Sequence, residues 1–315
     1  MIPVKIGVSD YVSTSHFPVL LAQELGLYRK EGLDVAIQPF EQAAKELVAL
    51  RDGEIDLASV GAHHPLSLFK DWKGAKLLMA VGQRTPWTLI VRADLKVQRG
   101  EFNQLRGLKI GAAPEPGKAL LYILRKSGID VAKAGISITA VPGALDPAAC
   151  TGVAAARALQ AKLLDGFWAN ELGAALAVQG GVGKVFADVR HGDGPPEGQR
   201  VSFTALVGID KFIADHPDRV SSVIRAVVKA EKRLREFPEE SALVAQQLFP
   251  KEAALVVPGI VKANTRFYYP AITEEDIRCL HEFAKEVGLL ATDVPYEEIV
   301  ALQFMPLWET KELIS

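Results

Sequence analysis

The segment from Glu41 to His64 constrains the fold of this chain more than any other stretch. Its first half, Gln42–Arg51, repeats apolar residues at the spacing of an amphipathic helix, and the glycine of Asp52-Gly53 suits a left-handed helix end. A short apolar strand, Ile-Asp-Leu-Ala-Ser-Val-Gly, then leads into a loop of small residues and two histidines. This order predicts one αβ step of a parallel sheet. Because open α/β sheets bind ligands beyond the carboxyl ends of their strands, we expect the loop to contact a ligand.

Length and composition are those of a globular chain large enough for two domains. The chain has 315 residues, of which 49% are hydrophobic and 23% charged, and its formal net charge is −2. A charge so close to zero does not indicate a nucleic-acid groove or an anionic membrane surface, and no apolar run has the length of a membrane span. Cys150 and Cys279 are too few for a disulfide framework, although they could form one bridge. No Cys-x-x-Cys motif or Cys/His cluster indicates a metal site.

The order of predicted elements repeats along the chain. Lys5-Ile-Gly7 and Lys109-Ile-Gly111 each end a strand that is followed by a loop and a helix. In the second half, the helix predicted at 153–164 matches Gln42–Arg51, and Leu164–Glu171 takes the place of the strand and loop that follow it. The sequence therefore predicts two similar α/β lobes.

Two long apolar strands are predicted to run between these lobes. They are Trp87–Arg92, after a turn, and Val201–Gly208, after a loop rich in glycine and proline. The pattern predicts a first lobe made of 1–92 and the helical part 206–315, with a second lobe, 93–205, inserted between them.

Four stretches resemble the solute-binding proteins of ABC importers. They are LAQELGLYRKEGLDV at 21–35, LRDGEIDLASVG at 50–61, LRGLKIG at 105–111 and FIADHPDRV at 212–220. Among these proteins, the chain is most similar to the branch for nitrate, sulfonate, taurine and thiamine-pyrimidine precursors, the NMT1/THI5-like branch.

The resemblance implies an α/β, two-lobe, type II periplasmic-binding-protein-like fold, with the two crossover strands as hinge and a ligand clamped between the lobes. It implies a small-molecule ligand and an ABC-transporter membrane permease as partners. We expect a monomer that has no cofactor, metal or nucleic-acid partner. The sequence shows no export signal, so we expect a periplasmic location if a signal was removed and a cytoplasmic one otherwise.

Candidate ligand-binding residues in the first part of the chain surround two predicted loops. Hydroxyls and an imidazole precede the first helix, whose free N–H groups suit a carboxylate, sulfonate or phosphate, but the same hydroxyls could simply cap the helix. The adjacent histidines are interpreted as hydrogen-bonding groups, because neighbouring histidines seldom chelate one metal. Arg84 could pair with a ligand carboxylate. The candidates are Tyr11, Ser13, Thr14, Ser15, His16, Gln42, His63, His64 and Arg84.

The second lobe offers two further groups of candidates. Pro116, Gly117 and Lys118 open a helix but lack the full phosphate-loop pattern, so nucleotide hydrolysis is not expected, and Lys118 could pair with an anion or lie in solvent. Trp168 could stack on a planar ligand or belong to the core. Asn170 and Glu171 could fix a polar edge of the ligand, and an inward-pointing Glu171 would favour a cationic one.

The predicted function is capture of a small organic anion or heteroaromatic molecule, such as a sulfonate, carboxylate or pyrimidine-like compound, without catalysis. Two alternatives stay open: an enzyme on the same scaffold, either a desulfinase or a pyrimidine-precursor synthase, and a cytoplasmic ligand sensor. The resemblance implies a cysteine in the first-strand loop of a desulfinase, where this chain has Ser13 and Ser15. It implies a reacting histidine and a lysine in the synthases, where this chain has His64 and Val60.

Overall fold

The computed structural model describes residues 1–143, 151–249 and 251–309. The chain forms two compact units: the first comprises Met1–Gln83 and Ser202–Ser315, and the second comprises Arg84–Val201. The predicted limits of the inserted lobe, 93–205, therefore lie too far along the chain at both ends. They had assigned Trp87–Arg92 to the first lobe, whereas this strand pairs within the sheet of the second unit.

The described strands and helices alternate through most of the chain. The strands are β1 (Ile2–Ser9), β2 (Leu33–Phe40), β3 (Leu57–Gly61), β4 (Ala75–Gly82), β5 (Trp87–Arg92), β6 (Lys109–Ala112), β7 (Ser137–Thr139), β8 (Gly166–Asn170), β9 (Gly183–Asp188) and β10 (Thr204–Ile209). The helices are α1 (Phe17–Glu24), α2 (Leu27–Lys30), α3 (Ala43–Asp52), α4 (Pro114–Lys126), α5 (Thr151–Gln160), α6 (Glu171–Gln179), α7 (Asp210–Asp215), α8 (Pro217–Glu236), α9 (Ser241–Leu248), α10 (Lys251–Ala254), α11 (Val257–Asn264), α12 (Glu274–Glu286) and α13 (Tyr296–Ile299).

The sheet of the first unit has the order β2-β1-β3-β10-β4. β1 is parallel to β2 and β3, whereas β10 runs antiparallel to β3 and β4. Helix α3 ends at Gly53, whose φ of 74° is the left-handed conformation that glycine accommodates without strain. The predicted helix, turn and strand are thus confirmed. Because Val8 pairs with Ser59, the loops that follow β1 and β3 emerge side by side.

The sheet of the second unit, β7-β6-β8-β5-β9, repeats the same arrangement. β6 is parallel to β7 and β8, and β5 lies antiparallel between β8 and β9. β5 and β10 therefore hold corresponding places as the antiparallel strands of their own sheets. The predicted repeat of two similar α/β lobes is confirmed, and it places the start of α6 where the histidine loop stands in the first unit.

Buried aliphatic and aromatic side chains from both faces of the first sheet form its core, and α1 packs against α8 and α9. Cys279 on α12 is a buried free thiol, and Cys150 lies outside the described residues. None of the described helices combines the length and the apolarity needed to cross a bilayer. Within the described ranges, no three His, Cys, Asp or Glu side chains are grouped as metal ligands.

Candidate functional site

A short turn of 3-10 helix leads from β1 into α1 and buries four of the predicted site residues. Ser13 caps this turn, since its Oγ accepts a hydrogen bond from the Ser15 N–H at 3.4 Å. Thr14, Ser15 and His16 are each at most 5% exposed. The Ser15 Oγ makes no hydrogen bond to any residue that the structure describes. A buried hydroxyl without a partner is costly, so the start of α1 presents a donor that a ligand atom could satisfy.

Three imidazoles gather beside this turn at the carboxyl ends of the strands. His16 Nδ1 lies 2.9 Å from Ser59 Oγ, and His63 Nδ1 lies 2.7 Å from Ser202 Oγ. The rings of His63 and His64 have centroids 4.0 Å apart. We call His16, Ser59, His63, His64 and Ser202 the histidine cluster. All of these residues belong to the first unit.

Gly61 makes the close approach of the two neighbouring rings feasible. A Cβ at this position would lie 2.8 Å from His64 Nδ1 and 3.2 Å from His63 Cε1. Any larger residue would therefore displace the imidazoles from the end of β3.

The imidazole of His16 is uncharged at neutral pH. Burial, and then the neighbouring His64, lowers the pKa of His16 to about 3, so this imidazole is neutral. A neutral imidazole has one N–H donor and one acceptor nitrogen, which its tautomer assigns, and a hydroxyl donates one hydrogen bond and can accept others. The arrangement suits a polar ligand group that is recognised by hydrogen bonds rather than by a buried cation.

The other candidates of the first part of the chain lie in different settings. Tyr11 is half-buried, and Gln42 is the exposed first residue before α3 with no side-chain capping bond. Arg84 belongs to the second unit and donates to Gln199 Oε1 at 2.6 Å. The structure does not bring Gln42 into the histidine cluster, and ligand contact by these three residues stays a prediction.

The candidates at the start of α4 form part of a solvated helix turn. Gly117 is buried and Pro116 is partly buried, while the Lys118 Nζ lies 2.9 Å from Glu115 Oε1. The side chains of this pair are 39% and 37% exposed, so the bond contributes little stability. Lys118 thus has an internal partner that the sequence analysis did not consider.

The candidates at the end of β8 are engaged within the second unit. Trp168 is 1% exposed and its ring lies 6.2 Å from that of Trp87, which agrees with the core alternative rather than with an open stacking face. Asn170 Oδ1 accepts from the Gly173 N–H at 3.3 Å and so caps α6. Stacking on Trp168 stays a prediction that needs this ring to become accessible.

Glu171 does not offer the uncompensated carboxylate that the sequence analysis considered. Its Oε1 lies 2.5 Å from Arg190 Nη1, and the two side chains are 12% and 2% exposed. A buried guanidinium balances this charge, so an inward-pointing Glu171 would not by itself attract a cationic ligand. Arg190 and Ser202 were not among the predicted site residues. Arg190 follows the carboxyl end of β9, and this position in the sequence could have indicated it.

The sequence of the chain matches a known protein family. The sequence profile described as NMT1/THI5 like matches residues 13–241, which is most of the chain. The chain belongs to the NMT1/THI5-like family. This assignment confirms the resemblance inferred from the sequence.

Relatives and solved structures agree with the family assignment. A Brucella abortus (strain 2308) protein named “Putative binding protein” is 26% identical over 245 residues, covering 76% of this chain and 69% of the relative. The alkanesulfonate-binding protein SsuA from Xanthomonas axonopodis, solved with MOPS, matches with a TM-score of 0.67 and 18% identity, covering 96% of this chain and 98% of that one. The desulfurization enzyme DSZB matches with a TM-score of 0.66 and 14% identity, covering 96% and 97%. These structural likenesses show the two-lobe type II periplasmic-binding-protein fold.

Proposed function

We propose that this chain is the solute-binding component of an ABC-type importer and acts in the periplasm, delivering a small organic molecule to a membrane permease. The bound molecule carries an anionic or hydrogen-bond-accepting group, such as a sulfonate, a carboxylate or a ring nitrogen. That group binds in the first unit, between the start of α1 and the histidine cluster.

The observation that carries this proposal is the buried Ser15 hydroxyl beside the neutral His16. The hydroxyl has no protein partner among the described residues, and it stands at the start of an eight-residue helix. In α1 the Phe17 N–H already donates to the Thr14 carbonyl and Pro18 has no N–H, so the helix start contributes the positive end of its dipole. An acceptor atom placed there would satisfy the hydroxyl and gain from the dipole.

Binding without turnover is favoured over the enzyme alternative by the character of the possible nucleophiles. The loop between β1 and α1 contains no cysteine. Burial, followed by the nearby Glu275 carboxylate, raises the pKa of the Cys279 thiol to about 11. A thiol that stays protonated at neutral pH is a poor nucleophile.

A thermal-shift screen tests this function. The panel contains taurine, MOPS and other sulfonates, aromatic carboxylates, aminopyrimidines and nitrate. A ligand that binds only the folded protein raises its melting temperature by mass action, so at least one organic compound should stabilise it. Stabilisation by nitrate alone would contradict the proposed ligand class, and conversion of an aromatic sulfinate to a desulfinated product would establish the enzyme alternative.

A further inference from the structure

Glu46, in the first turn of α3, is a fully buried acid that the proposed function does not use. Its side chain is 0% exposed, and it lies against β1 at Gly7. A Cβ on Gly7 would come within 3.0 Å of Glu46 Cγ and 2.5 Å of Ile55 Cδ1. The glycine in β1 therefore provides the space that this carboxyl occupies.

The carboxyl of Glu46 faces the ends of the two strands that carry the candidate site. Neither of its oxygens completes a hydrogen bond of ordinary geometry with a described residue. The Ser9 hydroxyl and the backbone of Ser9 and Ser59 nevertheless lie close enough to favour its ionised form in part. Ser59 in turn contacts His16 through its Oγ at 2.9 Å. Glu46 is thus separated from the candidate ligand-binding imidazole by one residue.

Burial decides the protonation state of this acid. Loss of solvent raises the pKa of Glu46 from 4.5 to about 8, against the smaller opposing effect of Ser9 and Ser59. The carboxyl is therefore mostly neutral at pH 7 and ionises in mildly alkaline solution.

The other titratable groups near Glu46 lie on α3 itself and on the elements that pack against it. These elements are β1, β2, β3, β10 and the turn after β3. Among them, β3 and β10 contain no titratable side chain. The titratable groups on α3 and the remaining elements are the exposed Lys5, Asp34, Lys45, Arg51 and Asp52, the buried His63 and the half-buried His64. Exposed charges are screened by solvent, so His63 and His64 are the groups that can compete with Glu46 in setting the response of His16.

We propose that Glu46 is a positioning residue of the first-unit site: its carboxyl lies against Ser59, which contacts His16, and its ionisation disfavours an anionic ligand group. The proposal rests on the proposed function, because it assumes that His16 and Ser15 receive the ligand. It deepens that function by making capture of an anion dependent on a proton held beneath the site. Affinity for an anion should fall as pH rises above 8, by at most roughly tenfold per pH unit for one linked proton.

The first test needs no ligand. The ring nitrogens of ¹⁵N-labelled His16 are followed by NMR between pH 6 and 10 in the wild type, Glu46→Gln and Glu231→Gln. Glu231 on α8 is the matched control, because it is also fully buried, with its pKa raised well above the ordinary value by burial. The His16 signals should shift with a midpoint near pH 8 in the wild type and in E231Q, and should not shift in E46Q. Signals that titrate equally in E46Q, or that do not move in the wild type, would overturn the proposal.

The second test uses butanesulfonate as the sulfonate probe, because its charge is the same at pH 7 and at pH 9, and measures its dissociation constant at both pH values. The wild type and E231Q should lose affinity at pH 9, while E46Q should keep similar affinity at both pH values, because glutamine mimics the neutral acid. An equal loss in E46Q would overturn the role of Glu46. If butanesulfonate binds at neither pH, the proposed function is weakened, while the NMR titration still decides the role of Glu46.

Discussion

His16 and Ser59, 43 positions apart in the sequence, meet through a contact of 2.9 Å between Nδ1 and Oγ. The contact joins the start of α1 to the end of β3, because β1 and β3 lie side by side in the sheet. It fixes the orientation of a buried neutral imidazole at the point where the candidate site begins.

Replacing Ser59 by alanine should therefore lower the stability of the folded protein. The variant leaves His16 Nδ1 buried without its hydroxyl partner, which costs about 1–3 kcal/mol in the free energy of unfolding. Urea unfolding measures this loss. Ser137→Ala, an exposed serine on β7 of the second unit, is the control and should change the free energy of unfolding by less than about 0.5 kcal/mol. Equal stability of S59A and S137A would show that the contact is not formed.

Gly61→Ala should weaken ligand binding by pushing the two histidine rings away from β3. The added Cβ would come within 2.8 Å of His64 Nδ1, so the rings must move. Gly259→Ala provides the matched control, since nothing lies within 4 Å of a Cβ on this helical glycine. G259A should bind the best ligand of the screen normally and gain up to about 1 kcal/mol in stability, because alanine favours a helix. Unchanged affinity in G61A would exclude His63 and His64 from the site.

Stability should fall as pH rises from mildly acidic to mildly alkaline values. The pKa of Glu46 is raised to about 8 in the folded protein, so the native state retains a proton that the unfolded state loses near 4.5. The stability that this retained proton contributes is fully present below pH 4.5 and disappears as the pH approaches 8. Glu231, whose pKa burial also raises, contributes in the same direction. In urea unfolding across this pH range, E46Q and E231Q should each show a shallower decline than the wild type; an identical decline would contradict the burial of a neutral acid.

Removing only one partner of the Glu171–Arg190 ion pair should lower the free energy of unfolding more than removing both. Arg190→Gln leaves a nearly buried carboxylate without its guanidinium, which costs roughly 3–5 kcal/mol, whereas E171Q/R190Q together should recover part of that loss. Lys45→Gln removes one partner of a pair whose side chains are both 61% exposed, and should change stability by less than about 1 kcal/mol. Urea unfolding of the four proteins decides between these cases. A double variant no more stable than R190Q would show that the pair is not the cause.

The sequence predicted those parts of the fold that depend on local pattern. Helical spacing in Gln42–Arg51 and the glycine at 53 define α3 and its end. The repeat of strand, loop and helix predicted two sheets of similar order. The limits of the units could not be obtained in this way, because β5 and β10 look alike as apolar runs and only their pairing assigns each to a sheet.

The site was predicted only as far as the loops that carry it. His16 and His63 were candidates, but their partners Ser59 and Ser202 depend on pairing between distant strands; His63 and Ser202 are 139 positions apart. Trp168 and Glu171 were predicted to face a ligand, but each contacts a residue that is distant in the sequence. Trp87 lies beside Trp168, and Arg190 pairs with Glu171. Glu46 was hidden because a glutamate on an amphipathic helix is usually solvated, and only the absent side chain at Gly7 admits it to the interior.

Calorimetric titration of the best organic ligand of the screen into the wild type, Ser15→Ala and Ser137→Ala tests the central claim most directly. If the ligand binds at the start of α1, S15A should lose about 1 kcal/mol of binding free energy, roughly fivefold in Kd, while S137A should match the wild type. Equal affinity of S15A and the wild type would contradict a binding site built around the Ser15 hydroxyl and His16.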